Sequence, residues 1–468
     1  MTALHDLPGT RLLALFARRE LSPSEYYEHL LAHIQRWEPH LNALYRFDPQ
    51  RIREQAAAAT ERWRKGQPKG PLDGLPVTIK ELIATAGEPI PLGSAATALQ
   101  PAPCDAPPAA RLREAGAIVL AKTTVPDFGM LSSGLSSFHG VTRNPWNLAM
   151  TPGGSSGGSG AAVAAGCVSL AEGSDMGGSV RIPAALCGVV GMKPSLGRIP
   201  MDILPTVFDN ISHFGPLARN VADAAQFLSV CHGPHERDIS SLPDKLDFDG
   251  WQRQDLGGLR IALSTDLGFY ALDDDVEANC RSAASALVEQ GAIVDEVQLP
   301  WDRSVVDAWS QNWKVYLAAS FAGEWEAHRE QMNPQLVDQM EQAKHIGAVE
   351  LKRLEQVRTQ QWYSLCEVFE RYDALLCPTM ALPAQAAELD DSDYDSDDPQ
   401  GRYQGFDMTS VFNNISQCPV LSVPSGVTRD GLPTAVQIVG RRFQDLAVLQ
   451  IGERLEAELG IADARPAI

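Results

Sequence analysis

Apolar side chains recur at helical spacing through residues 9–64, then give way to short continuous apolar runs separated by further helical stretches. Tyr27, Leu30, Leu31, Ile34 and Trp37 fall on one face of a helix. Ser22-Pro23-Ser24-Glu25 would open it, with a cap serine, proline at the first helical position and a glutamate placed for a capping box. After the turn-rich GQPKGPLDG, Leu75 to Lys80 reads as a strand ending on a lysine. Residues 106–115 read as a helix and Ala117 to Thr123 as a buried strand. Helix followed by buried strand predicts an α/β protein with its sheet covered by helices on both faces.

Farther along, Ala161 to Leu170 suits a tightly packed helix, Val221 to Cys231 reads as a helix and Leu259 to Ser264 as a strand. Residues 275–290 form a helix leading into the strand-like AIVDEVQLP. Residues 306–370 are helical and carry Trp309, Trp313, Tyr316, Phe321, Trp325 and Trp362. Most such aromatics are core, and a helical excursion over a sheet also walls pockets. Residues 372–380, 418–424 and 434–439 read as the last strands, with a helix after Asp445. No linker is long enough to separate domains, so 1–468 is expected as one large domain. It begins with N-terminal helices over 1–66 and carries a helical excursion at about 300–370.

Composition narrows the function classes. The chain has 468 residues, 44% of them hydrophobic, enough for a large core, and no apolar run of membrane-spanning length. The N-terminus lacks the pattern of a signal peptide. Eight cysteines stand singly, mostly in apolar settings and never as CxxC, which is buried-thiol usage rather than a disulfide frame or a zinc site. A cytoplasmic protein is expected. The net charge of −20 argues against nucleic acid and anionic membrane as partners. The acidic run Glu388 to Asp398 lacks the glycine and glutamate of a calcium loop and reads as solvated. His29 and His33 stand four apart with no third ligand nearby, so a surface helix is preferred to a metal pair.

Candidate chemistry concentrates in residues 151–198, TPGGSSGGSGAAVAAGCVSLAEGSDMGGSVRIPAALCGVVGMKPSLGR. Glycines let backbone amides wrap closely around a group, and serines supply hydroxyls that attack or relay protons once a base is near. Gly153 to Gly157 matches the nucleophile-elbow pattern GxSxG, though a glycine-serine turn or linker matches as easily. No GK[ST] follows, so it is not a Walker loop. Taken alone, Lys80 reads better as a surface lysine at a strand end, and Asp175 with Arg181 reads equally as a structural ion pair.

Read together, GLPVTIK around Lys80, TPGGSSGGS around Ser155 and GSDMGGSVRIPAALCGVVGMKP around Ser179 resemble the amidase signature family. So do TRNPWN at 142–147, FGPLAR at 214–219 and the C-terminal SVPSGVTRDGLPTAVQIVG. The resemblance runs along nearly the whole chain, is weakest over 300–410, places the signature core at 70–232, and implies a single large α/β/α domain with a twisted mixed central sheet covered by helices on both faces. It implies a Ser–cis-Ser–Lys triad with Ser179 as nucleophile, Ser155 as bridging serine and Lys80 as base, the cis peptide falling at Gly154–Ser155. It further implies an oxyanion hole from the amides of Met176, Gly177, Gly178 and Ser179, with Ser156, Asp175 and Arg181 bracing the loop.

The physical requirements agree with these roles. A serine hydroxyl needs a base, and a lysine is a base only when burial lowers its pKa from about 10.4 toward neutrality. Amides left unshielded by glycine can converge on an oxyanion, each donor worth roughly 3 kcal/mol. The resemblance implies hydrolysis of a small amide, a carbamate or an ester, with no cofactor and no metal. Gly129, Met130 and Leu131, Ile203 and its neighbours to Phe208, and Trp309 and Trp313 are expected around the substrate. Their apolar character favours a hydrophobic or aromatic molecule. A glutaminase-type subunit supplying ammonia to a partner shares the signature, but Ile182 stands where that subunit generally carries glutamine. By analogy with the family, a monomer or homodimer is expected.

Overall fold

The computed structural model describes residues 3–202, 206–389, 391–461 and 464–466, the side chains of 392 and 393 aside. Eleven strands form its main sheet. In chain order they are β1 (Leu44–Tyr45), β2 (Pro76–Lys80), β3 (Ile118–Thr123), β4 (Leu170–Asp175), β5 (Val190–Lys193), β6 (His213–Ala218), β7 (Arg260–Leu263), β8 (Ile293–Glu296), β9 (Ala374–Pro378), β10 (Val420–Val427) and β11 (Pro433–Gly440). Across the sheet they run β1-β3-β2-β4-β6-β5-β10-β11-β9-β7-β8. β3, β2 and β4 are parallel neighbours, as are β9, β7 and β8, and the strands between them pair antiparallel. The sheet is therefore mixed, as expected.

Thirteen helices among the described residues flank it. Three precede β2: α1 (Gly9–Arg18), α2 (Pro23–Leu41) and α3 (Pro49–Lys65). The next four are α4 (Pro107–Glu114), α5 (Gly157–Ala164), α6 (Arg181–Cys187) and α7 (Val221–Cys231). Then come α8 (Asp274–Glu289), α9 (Ser304–Ser320), α10 (Ala322–His328), α11 (Pro334–Ala343), α12 (Ala348–Arg371) and α13 (Asp445–Leu459). The capping box read at the start of α2 forms, Ser22 and Glu25 exchanging hydrogen bonds with each other's backbone amides. Its apolar face, Tyr27 to Trp37, is buried.

Alternation along the central strands divides the interior in two, because successive strand residues point to opposite faces. Ala374 and Leu376 of β9 join Leu421, Val423, Val436 and Ile438 in a core shared with α5, α7, α8 and α13. Leu375, Cys377, Val420 and Val439 join a second core with Val305 of α9 and Leu365 and Phe369 of α12. The last strand, β8, is four residues long and carries Asp295 and Glu296, which leave its edge short and charged.

Three expectations are corrected. The helix read over 161–170 starts earlier and ends at Ala164, since Gly166 turns the chain with φ +74° and Leu170 already opens β4. The strand read through AIVDEVQLP ends at Glu296, where its partner β7 ends. The acidic loop is not simply solvated. Asp391 accepts the Ser132 amide on both carboxylate oxygens at 3.0 Å, and Asp395 pairs with Arg303 at 2.6 Å.

Candidate active site

β2 and β4 run parallel and end on the same side of the sheet, so Lys80, the last residue of one, meets the loop leaving Asp175, the last residue of the other. Lys80 has no solvent exposure, which overturns the surface reading. Its Nζ lies 2.8 Å from Ser155 Oγ, 3.0 Å from Ser174 Oγ and 3.5 Å from the Ser174 carbonyl. Burial brings this amine down to about 7, against the opposing pull that the acids around it, Glu172, Asp175 and Glu81, exert when ionised.

Ser155 sits where the glycine-serine stretch turns into α5, after a cis peptide bond between Gly154 and Ser155. Ser156 ties this turn to the next loop, its amide donating to the Ser179 carbonyl at 3.2 Å and its hydroxyl to the Ser174 carbonyl at 3.4 Å. Ser179 is half-buried and lies one residue before Val180, which caps α6.

The loop from Asp175 to Arg181 is held by one fully buried guanidinium. Arg181 donates from Nε and Nη2 to Asp175 at 2.9 and 3.0 Å, from Nη1 to the Thr409 carbonyl and Gln437 Oε1 at 3.0 Å, and from Nη2 to Asn413 Oδ1 at 2.7 Å. All five of its N–H groups are thereby used. Burial raises the Asp175 carboxyl, but the charge and hydrogen bonds of Arg181, with a bond from Asn413, outweigh it and hold it well below the carboxylate range. Asp175 also takes the Gly178 amide at 2.9 Å. That removes Gly178 from the expected set of oxyanion donors, because its N–H is committed to the carboxylate. Among the described residues, the amides of Met176, Gly177 and Ser179 have no hydrogen-bond partner.

Two glycines are required here. Gly178 has φ +129°, and a Cβ on it would run into Thr409 Oγ1. A Cβ on Gly177 would run into the indole of Trp309, whose Nε1 donates to the Met176 carbonyl at 2.9 Å. Thr409 Oγ1 in turn donates to the Gly177 carbonyl at 2.7 Å. Both carbonyls of the Met176-Gly177 turn are thus anchored from outside the loop.

Two adjoining spaces meet at Ser179. One is an open chamber of about 280 Å³ whose walls include Gly129, Met130, Leu131, Ile182, Trp309 and Trp313. The other, of about 140 Å³, is more enclosed and brings Ser155, Ser174 and Ser179 together with Leu82, Phe128 and Phe321. Trp309, Trp313 and Tyr316, on one side of α9, stack in series at 5.4 and 6.0 Å between ring centres. Ile203, expected near the substrate, lies outside the described residues.

The family described as Amidase matches residues 25–449. The chain is 35% identical to an acylamidase from Rhodococcus erythropolis over 467 residues, covering 99% of this chain and 98% of that one. The chain belongs to the amidase signature family. It is a hydrolase of carbon–nitrogen bonds other than peptide bonds. Among solved structures, this amidase resembles a bacterial aryl acylamidase of the amidase signature enzymes, with a TM-score of 0.91 and 31% identity over the whole of both chains. It is also 34% identical to a glutamyl-tRNA(Gln) amidotransferase subunit from Symbiobacterium thermophilum, over 99% of each chain.

Sequence reading of the amidase missed Ser174, Thr409, Asn413 and Gln437. A signal existed for Ser174 alone, since alternation along β4 places it with Glu172 and one residue ahead of Asp175. The structure also brings a third ring to the histidine pair: His5 Nδ1 is 2.8 Å from His29 Nε2, and its ring stacks on His33 at 3.6 Å. Stacked rings do not converge on a point, and no group of three or more ligating side chains suited to a metal occurs among the described residues. Nor, among them, is any helix long and apolar enough to cross a membrane.

Proposed function

We propose that this amidase hydrolyses a small hydrophobic or aromatic amide through an acyl-enzyme on Ser179. The observation that carries the reading is the buried Lys80 amine 2.8 Å from Ser155 Oγ, in a cavity that Ser179 also lines. Lys80 as the free amine takes a proton from Ser155, which takes one from Ser179 as its Oγ attacks the substrate carbonyl. The oxyanion then meets the free amides of Met176, Gly177 and Ser179, held in place through Trp309, Thr409 and the Arg181–Asp175 pair. The proton returns through Ser155 to the leaving nitrogen, and water releases the acid along the same relay.

The enclosed space, walled by Leu82, Phe128, Met176 and Phe321, suits an apolar group, and the Trp309–Trp313–Tyr316 stack suits an aromatic one. The acylamidase and aryl acylamidase relatives support this substrate class. Carbamates and aryl esters reach the same acyl-enzyme chemistry. The likeness to amidotransferase subunits favours a second reading, release of ammonia to a partner. Ile182 puts an apolar side chain into the chamber wall, which favours the first.

The test is a panel of anilides, carbamates and nitrophenyl esters with wild type, Ser179→Ala and Lys80→Ala. Turnover by wild type and its loss in both variants is expected. A wild type silent on the panel, but hydrolysing glutamine once an amidotransferase partner is added, would replace this reading with the second.

A further inference from the structure

Glu172 of β4 is a fully buried acid that the mechanism above does not use. Among the described residues its Oε2 accepts one hydrogen bond, from the Lys80 backbone amide at 3.3 Å, and its Oε1 accepts none. The ionisable groups facing it are Lys80 from β2, Lys122 from β3 and Cys231 from α7. Glu81 and Asp175 stand around Lys80, and Glu81, Glu88 and Arg113 around Lys122. Neither lysine forms an ion pair with it. Lys80 Nζ is turned to the hydroxyls of Ser155 and Ser174, and Lys122 Nζ to the Ile83 carbonyl and Thr85 Oγ1.

A carboxylate so placed would be buried with one long hydrogen bond for two charged oxygens, which is the costly form of the group. Glu81, equally buried in the cluster, shows the better-satisfied arrangement: its two oxygens accept the Leu92 and Gly93 amides at 2.9 and 2.8 Å. Burial raises the Glu172 carboxyl well above its usual range. An ionised Glu172 would also draw Lys80 toward the ammonium form, which cannot accept a proton.

We propose that Glu172 keeps its proton at working pH and acts as a positioning residue, holding the Lys80 backbone while leaving its side chain an amine. The consequence for turnover rests on Lys80 being the base, so the first test does not use turnover. Difference infrared spectra of wild type against Glu172→Gln at pH 7 read the carboxyl directly. A protonated-carboxyl stretch present in wild type and missing from E172Q is expected, and its absence from wild type overturns the proposal.

The second test is the pH profile. E172Q is uncharged and of the same shape, and its acid limb in kcat/KM stays within about 0.3 pH units of wild type. Glu172→Leu, which takes away the acceptor of the Lys80 amide, lowers kcat about tenfold with KM held, and the glutamine restores it. A limb in E172Q displaced downward by about one unit or more shows an ionised Glu172 and overturns the proposal. Activity surviving in Lys80→Met overturns the base reading instead, and the infrared band still decides whether Glu172 carries the proton.

Discussion

Arg181 and Asp175, six residues apart and both withdrawn from solvent, are joined by hydrogen bonds of 2.9 and 3.0 Å. The two ends of the Ser179 loop are thereby tied together, and the other three N–H groups of the arginine tie the loop to Thr409, Asn413 and Gln437. Lysine offers a point charge with three donors and cannot reproduce a planar fork with five. Arg181→Lys should therefore cost about 3–5 kcal/mol of stability and remove most activity. Urea denaturation checks the first part, and an unchanged midpoint would show that the network holds nothing.

The pH dependence follows from Lys80. With its amine brought to about 7 by burial, kcat/KM should climb as pH rises through that value. Stability moves the same way. The unfolded lysine keeps its proton up to about 10.5 and the folded one releases it near 7. Between those values the unfolded state binds more protons, and stability rises with pH. Lys80→Met abolishes this, so wild type should gain on it in melting temperature from pH 7 to 9. A constant difference between the two across that range would contradict the assignment.

Ser155 and Ser174 both reach Lys80 Nζ, but Ser155 alone also carries the relay in the proposed mechanism. Ser155→Ala should lower kcat by about 10² to 10⁴-fold, and Ser174→Ala, which removes a partner of the amine, by about tenfold. Steady-state kinetics on one anilide or ester separate the two. Equal losses would make Ser174 a member of the relay rather than a support.

Gly177→Ala should drive the Trp309 indole out of its place, breaking its hydrogen bond to the Met176 carbonyl. A fall in kcat/KM of about tenfold or more is expected, in line with the misplacement of an oxyanion donor. Trp309→Leu makes room for the methyl group, so the double variant should lose less than the two single effects combined. Strict additivity would place the damage elsewhere.

Much of the scaffold was legible because it obeys local rules. Val221 to Cys231 is helical between the residues read, with Asn220 capping it, and the Ser22–Glu25 box closes as its spacing requires. β4 and β6 were not legible as strands. Their sequences, LAEGSD and HFGPLA, carry glycine, acid and proline, and they extend because neighbours on both sides supply a ladder. Lys80, Ser155 and Ser179 could be picked out through their motif, whereas Lys80 alone gave no sign of its burial. Thr409, Asn413 and Gln437 could not be picked out, since nothing in spacing reveals a contact more than two hundred residues distant.

That distance has a bearing on how the enzyme comes into being. The acceptors of Arg181 arrive with residues 409, 413 and 437, so a nascent chain that has already emitted Lys80, Ser155 and Ser179 still lacks the clamp on its Ser179 loop. Products ending before Gln437 would carry Lys80, Ser155 and Ser179, the side chains of the proposed mechanism, and yet an unfastened loop. On the proposed mechanism, hydrolytic activity in a preparation should therefore report on molecules in which β11 and the 409–413 segment have closed on the loop.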